Sequence, residues 1–108
     1  MSTAHESAHL VEILVPLQTG KGEPVGKEWF EKLLAELTEN FGGATSFARA
    51  PGKGLWQSGG EVPEDNIAVI EVMTAKIDPA YWAKLRQRLE QDLSQDEVVI
   101  RAHETRRL

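Results

Sequence analysis

The residues with the most suggestive chemistry stand at the start of the chain. His5-Glu6-Ser7-Ala8-His9 matches H-E-x-x-H literally. In zinc hydrolases this spacing puts two imidazoles on one face of a helix and leaves the glutamate to activate water. The chemistry depends on the helix, because only there do residues four apart share a face. Here an alternating, strand-like run begins one residue later, at Leu10, and no apolar helical stripe surrounds the histidines. The pattern favours adventitious metal contact by His5 and His9 over a catalytic zinc site. We assign no metal and no cofactor from it.

A second stretch, Gly20-Lys21-Gly22-Glu23-Pro24-Val25-Gly26-Lys27, lies between a strand-like and a helix-like run. That is the setting of a phosphate loop, but the spacing fails: Lys21 stands where glycine is required and Glu28 where a hydroxyl is required. Glu28 and Glu31 would also repel phosphate from the helix start. A plain turn is expected. Gly52-Lys53-Gly54 likewise lacks the third glycine of a dinucleotide fingerprint, since Gln57 occupies its place.

His103 is the candidate for catalysis. Strand alternation places it on the same face as Arg101 and Glu71, and an imidazole beside a carboxylate and a guanidinium can move protons near neutral pH. A structural ion-pair network would use the same residues. Glu12, Arg49, Trp56, Glu71 and Arg101 complete the candidate ligand-binding set. Trp56 enters because it lies in a glycine-rich stretch, where an aromatic side chain can act as a lid or an interface anchor. Trp29, Phe30 and Trp82 sit at helical spacing and are read as core.

The elements that must position these residues follow from periodicity. Leu10 to Leu17 alternate as a first strand, with Val11, Ile13, Val15 and Leu17 on one face. Gln18 to Gly26 form a loop. Trp29, Phe30, Leu33, Leu34, Leu37 and Phe41 make the apolar stripe of a helix over Lys27 to Phe41, stopped by Gly42-Gly43. Thr45 to Arg49 are a short strand. Pro51 to Asn66, with four glycines and two prolines, read as a partly ordered excursion holding a small hairpin around Ser58-Gly59-Gly60. Ile67 to Thr74 are a strand. Asp78-Pro79 caps and starts a second helix, which runs to about Leu93. Glu97 to His103 are the last strand.

This order predicts an α+β, ferredoxin-like βαββαβ sandwich: a four-stranded antiparallel sheet with two helices on one face. The expected organisation is a flexible N-terminal segment over 1–9, one domain over 10–103 and a C-terminal tail over 104–108. Ile13, Val15, Ile70, Val72, Val98 and Ile100 should face the helices. Glu12, Leu14, Val69, Glu71, Met73, Val99, Arg101 and His103 should line the opposite, open face, joined by Phe47 and Arg49. A face mixed in this way needs a cover, either the 51–66 excursion or a second subunit, and its charges need partners. Glu12 and Glu71 are expected to pair with Arg49 and Arg101.

Composition excludes several classes. The chain has 108 residues, enough for one domain with its own core. No apolar run approaches the length of a membrane span, and Met1 to His9 lack the basic start and apolar stretch of a secretory signal. Cysteine is absent, which excludes disulfides and thiol catalysis and makes the cytoplasm the expected compartment. Net charge is −5, with 17 acidic against 12 basic residues, which disfavours nucleic acid.

Phe41-Gly42-Gly43-Ala44-Thr45, Ala50-Pro51, Gly54-Leu55-Trp56, Asp65-Asn66-Ile67, Trp82 and Leu89-Glu90 together resemble an uncharacterised family of small bacterial proteins. The resemblance implies a ferredoxin-like domain without an established activity, and it lends no catalytic residue. The expectation is therefore a cytoplasmic, homodimeric domain with a small-molecule site over the open face, and no nucleic-acid or membrane partner. The alternatives are a cofactor-independent enzyme of the dimeric α+β barrel type, using His103 with Arg101 and Arg49 under a Trp56 lid, and a protein-interaction module joined through a sheet edge.

Overall fold

Two runs of alternating apolar residues lie side by side at the centre of the structure: β1 (Ser7–Pro16) and β3 (Ile67–Thr74). They pair antiparallel, with Val11 opposite Val72, Ile13 opposite Ile70 and Val15 opposite Ala68. On β1's other side runs β4 (Val99–Arg106), also antiparallel, with Ile13 opposite Ile100 and Glu12 opposite Arg101. The computed structural model describes residues 7–42, 45–49, 67–106 and 108, with only the backbone for Ser7 and 45–49.

Helix α1 (Lys27–Phe41) and helix α2 (Pro79–Asp92) lie over one face of the sheet. Leu33 and Leu37 of α1 and Trp82, Leu85 and Leu89 of α2 pack on Val11, Ile13, Val15, Ile70 and Val72 in a single core. Each fully buried aliphatic side chain there contributes roughly 1.5–3 kcal/mol. At one end of the helix pair, Phe41 stacks on Trp82 at 5.1 Å between ring centres, and Tyr81 meets Trp82 edge-on at 5.0 Å.

The ends of the helices carry their own signals. Gly42 adopts the left-handed conformation, with φ of 82°, and its N–H returns to the Thr38 carbonyl at 2.8 Å. The Asp78 side chain accepts from the N–H groups of Ala80 and Tyr81, and Pro79 occupies the first turn, where no N–H is needed. Among the described residues, no helix is long and apolar enough to cross a membrane.

The expected ferredoxin-like sandwich, with four strands under two helices, is corrected. The packed body is three long antiparallel strands and two helices. β2 (Thr45–Arg49) adds five backbone-paired residues at the margin beside β3, giving the order β2-β3-β1-β4. Its length is limited by sequence, between the glycines that end α1 and Pro51. Nor do the helices cover the whole of one face. Val98 is buried beneath them and Ile100 partly so, whereas Ala102 and Glu104, next on the same side of β4, are exposed.

The ends of the sheet also differ from expectation. β1 begins at Ser7 and pairs with Arg106, so 7–9 and 104–106 extend the sheet where terminal segments were expected. The last strand starts at Val99. Glu90, in the last turn of α2, accepts the Val98 N–H at 3.0 Å and fixes where the chain enters β4. The 51–66 excursion and its hairpin lie outside the described residues.

Candidate functional site

The side of the sheet turned away from the helices carries three rows of cross-strand neighbours. Met73, Leu10 and His103 form one, Glu71, Glu12 and Arg101 the next, and Val69, Leu14 and Val99 the third. Glu12 therefore sits on the central strand, in the middle row of this face. It is 7% exposed, the buried charged residue of the described structure.

Burying a carboxylate is costly unless it is paired and hydrogen-bonded. Glu12 meets that requirement through β4. Arg101 Nε donates to Glu12 Oε1 at 2.8 Å, and His103 Nε2 lies 3.0 Å from the same oxygen. The Arg101 and His103 hydrogen bonds, in that order, hold the Glu12 carboxyl below its ordinary value of 4.5, against burial, which pushes it up. Glu12 is thus ionised at neutral pH.

An ionised carboxylate only accepts, so His103 Nε2 must carry the proton. With its proton on Nε2, a neutral imidazole has Nδ1 left as an acceptor. Arg101, with Nε engaged, keeps two terminal nitrogens for another partner. The side chains of Arg101 and His103 are 46% and 53% exposed, against 9% for Glu12. The result is a buried anion that orients two half-exposed groups toward solvent: one able to take a proton, the other able to grip an anion.

Of the residues singled out from sequence, the structure brings Glu12, Arg101 and His103 together. Of the expected pairings of Glu12 and Glu71 with Arg49 and Arg101, the one between Glu12 and Arg101 is formed, and the Arg49 half falls on a side chain outside the described residues. Arg101 goes to Glu12, and His103 supplies the second contact. Glu71 stands directly opposite Glu12, with no ion pair among the described residues. In the backbone register Thr45 is the β2 residue opposite Glu71, and Arg49 is opposite Ile67. Four residues of strand separate the two positions, roughly 13 Å. The side chain of Arg49, and Trp56 entirely, lie outside the described residues.

The direct contact between His103 and Glu12 went unread in sequence. Its signal was the shared parity of residues 12, 101 and 103 within their strands, but only the β1–β4 register turns that parity into adjacency.

The other motifs resolve into structure. His9 is a strand residue of β1, opposite Thr74 and Glu104, so the helix that H-E-x-x-H requires is not formed there. His5 and Glu6 lie outside the described residues. Among the described residues, no three His, Asp or Glu side chains are placed to hold one metal ion.

The glycine-rich stretch is a turn closed on itself. Thr19 N–H donates to the Glu23 carbonyl, Gly22 N–H to the Thr19 carbonyl, and the Lys21 and Glu23 N–H groups to Thr19 Oγ1. Gly20 N–H reaches the Leu93 carbonyl at 2.8 Å, docking the turn on the end of α2. The backbone N–H groups of residues 19–23 are thus all engaged within the turn or on α2.

On the far side of the molecule, a groove of about 180 Å³ runs between α1 and α2, floored by Trp29, Leu33 and Leu89. Arg88 of α2 reaches Glu36 of α1 across it at 2.7 Å.

No family model matches the chain, and no curated protein matches it. The chain is similar in structure to a phage SAM lyase solved in complex with S-methyl-5'-thioadenosine. The TM-score is 0.61 and the identity 19%, over 96% of this chain and 86% of that one. At that identity the likeness is one of fold, a small α+β domain.

Proposed function

We propose that the protein is a small-molecule-binding domain with acid–base capacity, and that its site is the open sheet face around Glu12, Arg101 and His103. The carrying observation is the pair of contacts on one buried oxygen: Glu12 Oε1 takes both Arg101 Nε and His103 Nε2. For stability alone, an aliphatic residue at position 12 would serve as well or better, since buried ion pairs often do no more than offset their desolvation. What the carboxylate adds is orientation. It aims the guanidinium's remaining donors outward, in the geometry suited to a carboxylate or phosphate. It also fixes the imidazole so that Nδ1 faces a ligand.

The phage SAM lyase supports the same reading from outside, because a domain of similar fold accommodates a small thionucleoside. Met73 and Val99, 49% and 41% exposed on the same face, favour a second copy closing over it and excluding water from the bound ligand.

Isothermal titration with S-methyl-5'-thioadenosine and with S-adenosylmethionine tests the site. Saturable binding to at least one of them is expected, with a dissociation constant between about 1 µM and 1 mM. Arg101→Ala and His103→Ala should weaken it about tenfold, the worth of one charge-assisted contact. Turnover of S-adenosylmethionine that disappears in His103→Ala would extend the reading to catalysis. Absence of saturable binding, or binding indifferent to both substitutions, would remove this face as the site.

A further inference from the structure

Across the middle row of the open face, charge is ordered. Glu71 on β3, Glu12 on β1 and Arg101 on β4 are consecutive cross-strand neighbours. The central carboxylate is paired with Arg101 and hydrogen-bonded with His103. The outer carboxylate, Glu71, is partly exposed and makes no ion pair among the described residues. Its direct neighbour is another carboxylate, an arrangement that destabilises a sheet when nothing cationic intervenes. Two groups of opposite character thus flank Glu12, the Glu71 carboxylate on one side and the remaining N–H donors of Arg101 on the other. Two strand spacings put their backbones about 10 Å apart, a span that two long side chains can close over a small ligand.

We infer that the site takes a zwitterion: an α-amino acid, or a molecule carrying that group, with its carboxylate on Arg101 and its ammonium on Glu71. This deepens the proposal that the open face is a ligand site and rests on it. A guanidinium with its Nε already anchored offers paired donors to a carboxylate, and five N–H groups leave enough for both contacts. An ammonium at Glu71 would relieve the repulsion between the two glutamates, so binding and sheet stability favour the same occupant. An anionic ligand without an ammonium would instead meet Glu71 as a like charge.

The test compares two probes that differ only in this group. S-methyl-5'-thioadenosine and S-adenosylhomocysteine share the nucleoside and the thioether sulfur, and the second carries an amino-acid chain in place of the methyl. Titration of the full chain should give S-adenosylhomocysteine about tenfold tighter binding. Glu71→Gln should erase that advantage and leave S-methyl-5'-thioadenosine binding unchanged. Removing one of two opposed carboxylates leaves no buried cation unpaired, so the variant should fold, which thermal melting would show.

Equal affinity for the two probes in the wild-type protein would overturn the zwitterion while leaving the open face as a site. A preference that survives Glu71→Gln would overturn the assignment of the ammonium to Glu71. Failure of both probes to bind would overturn this inference together with the proposal beneath it.

Discussion

Glu12 is the residue on which the open face turns, and its protonation should show in the stability of the protein. Its carboxyl is held below 4.5 in the folded state, first by Arg101 and then by His103. A group whose folded value lies below its unfolded one adds stability that is complete above the unfolded value. That stability is lost as pH falls through the folded value. Glu12→Gln should therefore be less stable than wild type at pH 7, by about 1–2 kcal/mol for the loss of a charge-assisted contact. The gap should start to narrow as the pH falls below 4.5 and close once it has passed the folded value. Urea unfolding of both proteins across that range measures it, and a gap independent of pH would show that the Glu12 charge does not stabilise the fold. The wild-type acid limb will not vanish entirely in the variant. Glu90 is also held below its ordinary value, by the Val98 N–H first and then by Arg86.

Among the elements, the 19–25 turn is the most demanding in shape. A side chain at position 20 would place its Cβ 1.7 Å from the Ser94 carbonyl oxygen, which is backbone and cannot swing aside. Gly20 is required by close approach, Gly22 by its φ of 82° in otherwise open space. Gly20→Ala should cost about 1–3 kcal/mol as overpacking, with the turn displaced from the end of α2. Gly22→Ala should cost about 1–2 kcal/mol from backbone strain alone. Chemical-shift changes at Leu93 and Ser94 in Gly20→Ala but not in Gly22→Ala would separate the two causes. Similar spectra for both would count against the docking contact. This turn was legible in sequence as a failed phosphate loop. Its partner was not, because Gly20 and Leu93 meet only when the loop after β1 and the end of α2 are brought together.

For the whole molecule, the two faces of the sheet are unequal. One is sealed by α1 and α2 over β1 and β3. The other is centred on the Glu12 carboxylate, buried at Val69 and exposed at Met73 and Val99. Sedimentation at micromolar concentration should therefore give about twice the 12.0 kDa chain mass. Met73→Glu, which puts a charge in place of an exposed apolar side chain, should return the protein to one copy. A wild-type chain that sediments as a monomer would leave the ligand site open to water and remove the second copy from the proposal.

Sequence alone determined the local units. The stripe from Trp29 to Phe41, the Gly42 stop, the Asp78-Pro79 start and the alternation along Ile67 to Thr74 each encode an element within a few residues, because helical and strand periods are set by neighbouring side chains. Alternation also told which side of its strand each residue occupies. It could not tell which residue lies beside which. Glu12 and Arg101 are 89 positions apart, and the register that joins them is fixed by packing of the whole sheet beneath its helices. Tertiary structure alone decided that Glu12 is buried with Arg101 and His103, that Glu71 is left facing it, and that the strand carrying Arg101 and His103 runs on past the cover of the helices.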